Sequence, residues 1–283
     1  MQLTSQQTIK FLCNKYSFWP TRQSGQNFLV SEPDLKSIIS SASISPQDTV
    51  LEIGAGFGTL TVELAKHASQ VIAVELDKRL AMAMRKLSKT HNNLKVIEGD
   101  IFQKLPVVSG YLDDLQYKIV SNLPYNITSL VLRNFLENKP RPSEMVVLVQ
   151  KEVADRIVAQ PGKMSLLSIA IQFYAKPEII RLIPRENFWP TPKVNTALLK
   201  ISGIGGDPNN FLNQLGNEHV KKFFRIVKFG FSAKRKQLHN NLSAGLDEKQ
   251  EKIKEILEKC GINPQIRAQD LSIFDWIDIT HSV

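Results

Sequence analysis

Short apolar runs alternate with stretches of helical spacing from about residue 33 onward. The runs at 49–53, 71–76, 95–98, 118–120 and 145–149 read as strands. A Gly-rich turn and a helix through Thr61, Leu64 and Ala65 follow the first strand. A helix over 77–87, with Leu80, Met84 and Leu87 on one face, follows the second. Strand and helix in strict alternation imply right-handed crossovers and a parallel sheet covered on both faces. The predicted fold class is therefore α/β: a doubly wound, Rossmann-like domain. Two later runs, 173–183 and 197–201, are separated by little more than a Pro-rich loop and predict an antiparallel pair at one sheet edge. Residues 203–210, GIGGDPNN, carry the turn residues of a linker, and the pattern beyond them is helical. The sequence thus predicts a Rossmann-like domain over 1–205 and a smaller, all-helical domain over 206–283.

Composition adds a partner to this picture. The 283 residues exceed what one core usually serves, and 42% hydrophobic with 22% charged residues excludes long disorder. Lys and Arg number 36 against 27 Asp and Glu, a net charge of +9 that is unevenly placed. Residues 1–31 hold Lys10, Lys15 and Arg22 with no acid, and residues 219–246 hold seven basic residues with none. Along 221–231, Phe224, Val227 and Phe231 define an apolar stripe, while Lys221, Arg225 and Lys228 define a basic one. Lys234, Arg235 and Lys236 extend it, and a polyanion, RNA or DNA, is the natural ligand for such a surface.

Cys13 and Cys260 lie far apart and outside any CxxC pattern, so no disulfide framework and no zinc site is expected. No apolar run approaches the ~18 residues of a membrane span, and the N-terminus lacks the apolar core of a secretory signal. A cytoplasmic protein without membrane or metal partners is expected.

Candidate chemistry sits at the carboxyl ends of the predicted strands, where ligands bind doubly wound sheets. Glu52-Ile53-Gly54-Ala55-Gly56-Phe57-Gly58 places glycines where a strand turns into a helix, so that a ligand can approach the main chain. Thr59 stands where a dinucleotide fingerprint has its third Gly. Glu75, 21 residues after Gly54, suits the two hydroxyls of an adenosine ribose. These two features alone fit a dehydrogenase equally well. Asp100 adds an acceptor for the exocyclic amine of adenine. Asn122-Leu123-Pro124-Tyr125 then places a polar residue, a stiffening proline and an aromatic beside the crevice, which resembles the signature of amino-group methyltransferases.

These motifs resemble one family nearly end to end, the KsgA/RsmA-type small-subunit rRNA adenine N6,N6-dimethyltransferases. GQNFL at 25–29, LEIGAGFGTLT at 51–61, VIAVELD at 71–77, EGDIF at 98–102 and NLPYNITS at 122–129 carry the resemblance. It continues through QKEVADRIVAQPG at 150–162, ENFWPTPKVNTALLKI at 186–201, FSAKRKQLHNNL at 231–242 and RAQDLS at 267–272. The loop after Gly162 is shorter than the family's, and the AKRK run is less uniformly arginine-rich.

The resemblance implies an enzyme using S-adenosyl-L-methionine to dimethylate two adjacent adenosines in the 3′-terminal hairpin of small-subunit (16S) rRNA during ribosome biogenesis. The substrate would be rRNA within an immature ribosomal particle and the enzyme a monomer. Gln26, Asn27 and Leu29 would line the methionine side of the cofactor site, with Glu52, Gly54 and Gly56 nearby. Glu75 would take the ribose, Asp100 the adenine amine, and Ile101 would pack on the base. Asn122 and the Leu123 carbonyl would accept from the target N6 amine, and Pro124 would hold the turn. Tyr125 and Phe188 would form two walls for the flipped base, with Trp189 competing for the second. Lys221, Arg225, Lys228, Lys234, Arg235 and Lys236 would contact phosphates. The alternatives are a large-subunit rRNA methyltransferase of the erythromycin-resistance type, which usually has Ile where this chain has Leu123, and a noncatalytic RNA-binding assembly factor.

Overall fold

A computed structural model describes residues 2–21, 25–112, 116–204 and 211–283. Arg22 and most of the predicted linker, 205–210, lie outside the described residues. The strands are β1 (Phe28–Leu29), β2 (Thr49–Ile53), β3 (Gln70–Glu75), β4 (Leu94–Glu98), β5 (Tyr117–Asn122), β6 (Glu144–Gln150), β7 (Lys176–Ile183), β8 (Phe188–Trp189) and β9 (Thr196–Ser202).

Seven of these strands form one sheet in the order β4-β3-β2-β5-β6-β9-β7. Strands β2 to β6 pair in parallel, and β9 runs antiparallel to β6 with Gln150 opposite Thr196. The chain winds outward from β2 through β3 to β4, then returns and winds the other way from β5 to β6. The switch point lies between β2 and β5, where a crevice opens at the strand ends. Strand β2 is buried at every position, Thr49 and Glu52 included, and the five central residues of β6 are buried and form a continuous apolar run. At the far edge β7 exposes Lys176, Glu178 and Arg181, charges that discourage further strand pairing.

Local chemistry sets the helix starts. Asp77 accepts a hydrogen bond from the Arg79 N–H at 2.8 Å and caps the helix Lys78–Ser88. Ser31 caps Glu32–Ala42, accepting from the Asp34 N–H. The apolar stripe of Lys78–Ser88 buries Leu80 and Met84 as its spacing predicts.

The chain divides into two compact units, Met1–Ala154 with Glu178–Ile204, and Asp155–Pro177 with Gly205–Val283. The single cut at 205 corresponds to one crossing; residues 155–177 fold with the helical unit rather than within the first domain. Their anchors are aromatic. Phe173 lies 4.6 Å, ring centre to ring centre, from Phe223, and Tyr174 stacks on Phe224 at 5.9 Å. Phe173 accordingly ends the helix Leu166–Gln172 rather than opening a strand, and β7 begins only at Lys176. The shortened loop after Pro161 is tied to the RAQDLS segment: Gly162 and Met164 N–H groups both donate to the Gln269 carbonyl.

In the helix Val220–Gly230 the buried residues are Phe223, Ile226, Val227 and Gly230. The apolar stripe is rotated from the predicted Phe224–Val227–Phe231 line, and Phe224 and Phe231 flank it. The absence of a side chain at Gly230 lets the Trp276 ring lie against the helix.

Candidate active site

The crevice at the switch point is lined by Gln26, Asn27, Leu29, Glu52, Gly54, Gly56, Glu75, Asp100, Ile101 and the Asn122-Leu123-Pro124-Tyr125 turn. Thirteen predicted site residues, from five separate stretches of chain, thus converge on one cavity. Phe188 does not. It is 1% exposed and belongs to the core cluster that includes Leu29, Leu35, Ile183 and Leu198. Pairing of β8 with β1 sets Phe188 opposite Leu29, and the apolar ring is more favourably placed in that core than at a wet cleft. The predicted second wall is therefore not formed by Phe188; Trp189, partly buried, packs against the neighbouring cluster of Phe18, Phe28 and Phe57.

The glycines meet steric demands. Gly54 has φ +77°, and a Cβ there would come within 2.9 Å of Pro124 Cδ and Cγ. The Gly-rich loop and the NLPY turn are thus in contact through the one residue type that permits it. Ser121 Oγ, buried, donates to the Ile53 carbonyl at 2.6 Å and fastens β5 to β2 just below.

Two carboxylates are buried in this cavity in different environments. Glu75, 3% exposed, accepts the Gly56 N–H on Oε2 at 2.8 Å and the Asp77 N–H on Oε1 at 2.9 Å. Each oxygen keeps a lone pair for an outside donor. Burial raises its pKa, and these backbone donors oppose the rise. Glu52, 2% exposed, accepts from Thr61 Oγ1 at 2.5 Å; burial, reinforced by the charge of Glu75, pushes its pKa up to about 8. Both carboxyls are thus shifted upward by burial, Glu75 against two backbone donors and Glu52 against one hydroxyl.

Asp100 follows β4 and accepts from the Phe102 N–H at 2.8 Å, which opens the helix Ile101–Leu112 beneath it. At the other wall, Asn122 Nδ2 donates to the Asn27 carbonyl at 2.8 Å. That bond fixes the amide so that Oδ1 is left as an acceptor in the cavity wall. Tyr125 hydroxyl meets Thr196 Oγ1 at 2.7 Å. Sequence reasoning did not single out Thr61 or Thr196, since their partners lie on other strands or turns. Leu76, which lines the cavity yet is 69% exposed, was also missed, although an apolar residue directly after Glu75 was a usable signal.

The donor set fits S-adenosylmethionine: paired acceptor oxygens at Glu75 that would suit a diol, an acceptor at Asp100 that would suit an amine, and apolar Leu76 and Ile101 in the same lining. Among the described residues no cluster of three or more His, Cys, Asp or Glu side chains could hold a metal. No helix of the described residues is long and apolar enough to cross a membrane.

In the helical unit Lys221, Arg225, Lys228, Lys234, Arg235 and Lys236 are all exposed. None has a carboxylate partner among the described residues.

Sheet order and switch-point crevice define a Rossmann-like fold, and the Asn122-Leu123-Pro124-Tyr125 turn in the crevice fits a methyltransferase rather than a dehydrogenase. The profile of the ribosomal RNA adenine dimethylase family matches residues 20–283. A "Ribosomal RNA small subunit methyltransferase A" of Dehalococcoides mccartyi is 40% identical over 94% of this chain and 89% of its own length. The protein of that name in Streptococcus thermophilus is 36% identical over 100% of this chain and 98% of its own. Among solved structures, a dimethyladenosine transferase from Plasmodium falciparum superposes with TM-score 0.72 at 26% identity, covering 89% of this chain and 95% of that one. The 23S rRNA methyltransferase ErmE shares the fold, with TM-score 0.69 at 23% identity over 90% of this chain and 99% of its own. The chain belongs to the ribosomal RNA adenine dimethylase family.

Proposed function

We propose that this protein is an S-adenosylmethionine-dependent rRNA adenine N6,N6-dimethyltransferase acting on two adjacent adenosines in the 3′-terminal hairpin of small-subunit (16S) rRNA. The observation that carries the reading is the fixed Asn122 amide in the cavity wall beside Leu123; its Oδ1, with the Leu123 carbonyl, would give the target amine two acceptors. The names of the relatives support the small-subunit assignment.

When bound, the cofactor supplies an electrophilic methyl group on a cationic sulfur. The chain's own residues do the rest. The adenine N6 lone pair is delocalised into its ring, so the amine attacks only when pyramidalised. Acceptors on its two hydrogens favour that geometry and stabilise the positive charge that develops on nitrogen. Positioning the amine in line can supply about 7 to 11 kcal/mol. No strong base is required, because the N–H becomes acidic once the methyl has moved. Tyr125 provides a stacking face for the extruded base, worth about 1 to 3 kcal/mol. The six exposed cations of the helical unit hold rRNA phosphates within an immature ribosomal particle. The enzyme acts as a cytoplasmic monomer and needs no metal, since the displacement requires no activated water.

The test is transfer of a tritiated methyl group to small-subunit and large-subunit particles separately, followed by nucleoside analysis. Dimethyladenosine confined to small-subunit rRNA is expected; label only in the large-subunit RNA, or in neither, overturns the reading.

A further inference from the structure

Tyr125 is held through its hydroxyl and closely approached at its backbone. Its backbone nitrogen lies where a Cβ on Gly25 would come within 3.2 Å, and its hydroxyl is 2.7 Å from Thr196 Oγ1. Thr196 opens β9, is 0% exposed, and is fixed in register opposite Gln150 of β6. The tyrosine ring lining the cavity is therefore tied through its phenol to the rigid interior of the sheet. Burial raises the phenol pKa, so the contact is a neutral O–H to O bond.

The two methyl transfers use this ring differently, granted the function proposed above. A primary amine presents two N–H groups, which Asn122 Oδ1 and the Leu123 carbonyl can both engage, and those bonds alone orient the base. After one transfer a single N–H remains. Orientation must then come to a greater extent from the stacking face, and a ring free to pitch no longer supplies it. We propose that Thr196 is a positioning residue whose hold on Tyr125 is needed chiefly for the second transfer, so that it governs how far the reaction proceeds from the monomethyl to the dimethyl product.

The experiment follows mono- and dimethyladenosine in small-subunit particles under single-turnover conditions, with melting temperatures recorded in parallel. T196V should slow the second transfer about tenfold while the first stays within about threefold, so that monomethyladenosine accumulates. T196S, which keeps the hydroxyl, should behave as wild type. Y125F should reproduce the T196V product ratio. The Y125F/T196V double variant should regain melting temperature, because no buried hydroxyl is left unpaired, yet still accumulate the monomethyl product. That separation distinguishes positioning from a role in stability alone. A wild-type product ratio in T196V or in Y125F overturns the inference. Wild-type enzyme that forms no methyladenosine on small-subunit particles overturns the proposed function and this inference together, whereas normal dimethylation with an unmoved ratio in the variants overturns the inference alone.

Discussion

Asn122 and Asn27, 95 positions apart, are joined by a 2.8 Å hydrogen bond from the side-chain amide of the first to the carbonyl of the second. The bond couples two walls of the crevice, and it selects which end of the Asn122 amide is free to face the amine of the proposed substrate. N122A should therefore leave cofactor affinity within a few fold and reduce turnover by about 100-fold or more, since the lost acceptor acts mainly in the transition state. Calorimetry for binding and methyl transfer for turnover check the two halves separately.

Gly54 offers a steric counterpart. G54A would drive a methyl group against the Pro124 ring in a backbone conformation that L-residues avoid. Both walls of the crevice should shift, so cofactor binding and turnover should fall together, by about tenfold or more each. Retained affinity in G54A would show that the Pro124 contact is not tight.

E75A should weaken cofactor binding by about 2 to 4 kcal/mol, the scale of two hydrogen bonds to a charged acceptor. RNA affinity, measured by titration without cofactor, should stay unchanged.

Glu52 makes stability depend on pH. Its folded pKa of about 8 lies above the ordinary 4.5, so between these values the native state binds more protons than the unfolded chain. Stability of the cofactor-free protein should then fall as pH rises from about 4.5 to about 8, and Glu75, shifted in the same direction, adds to the slope. In E52Q the decline should become shallower. Denaturant midpoints at several pH values measure this, and parallel profiles for the two proteins would exclude Glu52 as a source.

For the basic surface, the triple variant K234A/R235A/K236A should release fewer counterions on binding small-subunit particles. The slope of log affinity against log salt should fall by about 0.9 per lost phosphate contact on a duplex, or about 0.7 on a single strand. Cofactor affinity should not move. An unaltered slope would transfer the anchoring role to Lys10 and Lys15.

Much of the sheet was legible because each central strand is a short apolar run that ends on a polar residue: Glu75, Asp100 soon after β4, Asn122. Those residues could be placed at the crevice from spacing alone, because strand ends at a switch point converge whatever the side chains are. Phe188 was misplaced because an aromatic beside a Pro-rich loop suits a cleft and a core equally, and only the β1 pairing decides. Phe173 and Tyr174 extended a predicted strand because an apolar run has no periodicity to separate helix end from strand start. The rotation of the Val220–Gly230 stripe has a similar origin: aromatic residues occupy both flanks, and burial was decided by Trp276 filling the space at Gly230.

The excursion of residues 155–177 into the helical unit means that the polypeptide passes between the units three times, at 154/155, 177/178 and 204/205. A protease cutting once near residue 205 would sever the chain without parting it, because the Phe173–Phe223 contact would still bridge the two fragments. A gene fragment beginning at residue 211 would in turn encode a helical unit lacking part of its own interior, with Phe223 and Phe224 bared to water. The units are interleaved along the gene, and a cut-and-paste exchange of the C-terminal third between relatives would have to carry a second, internal patch of sequence with it.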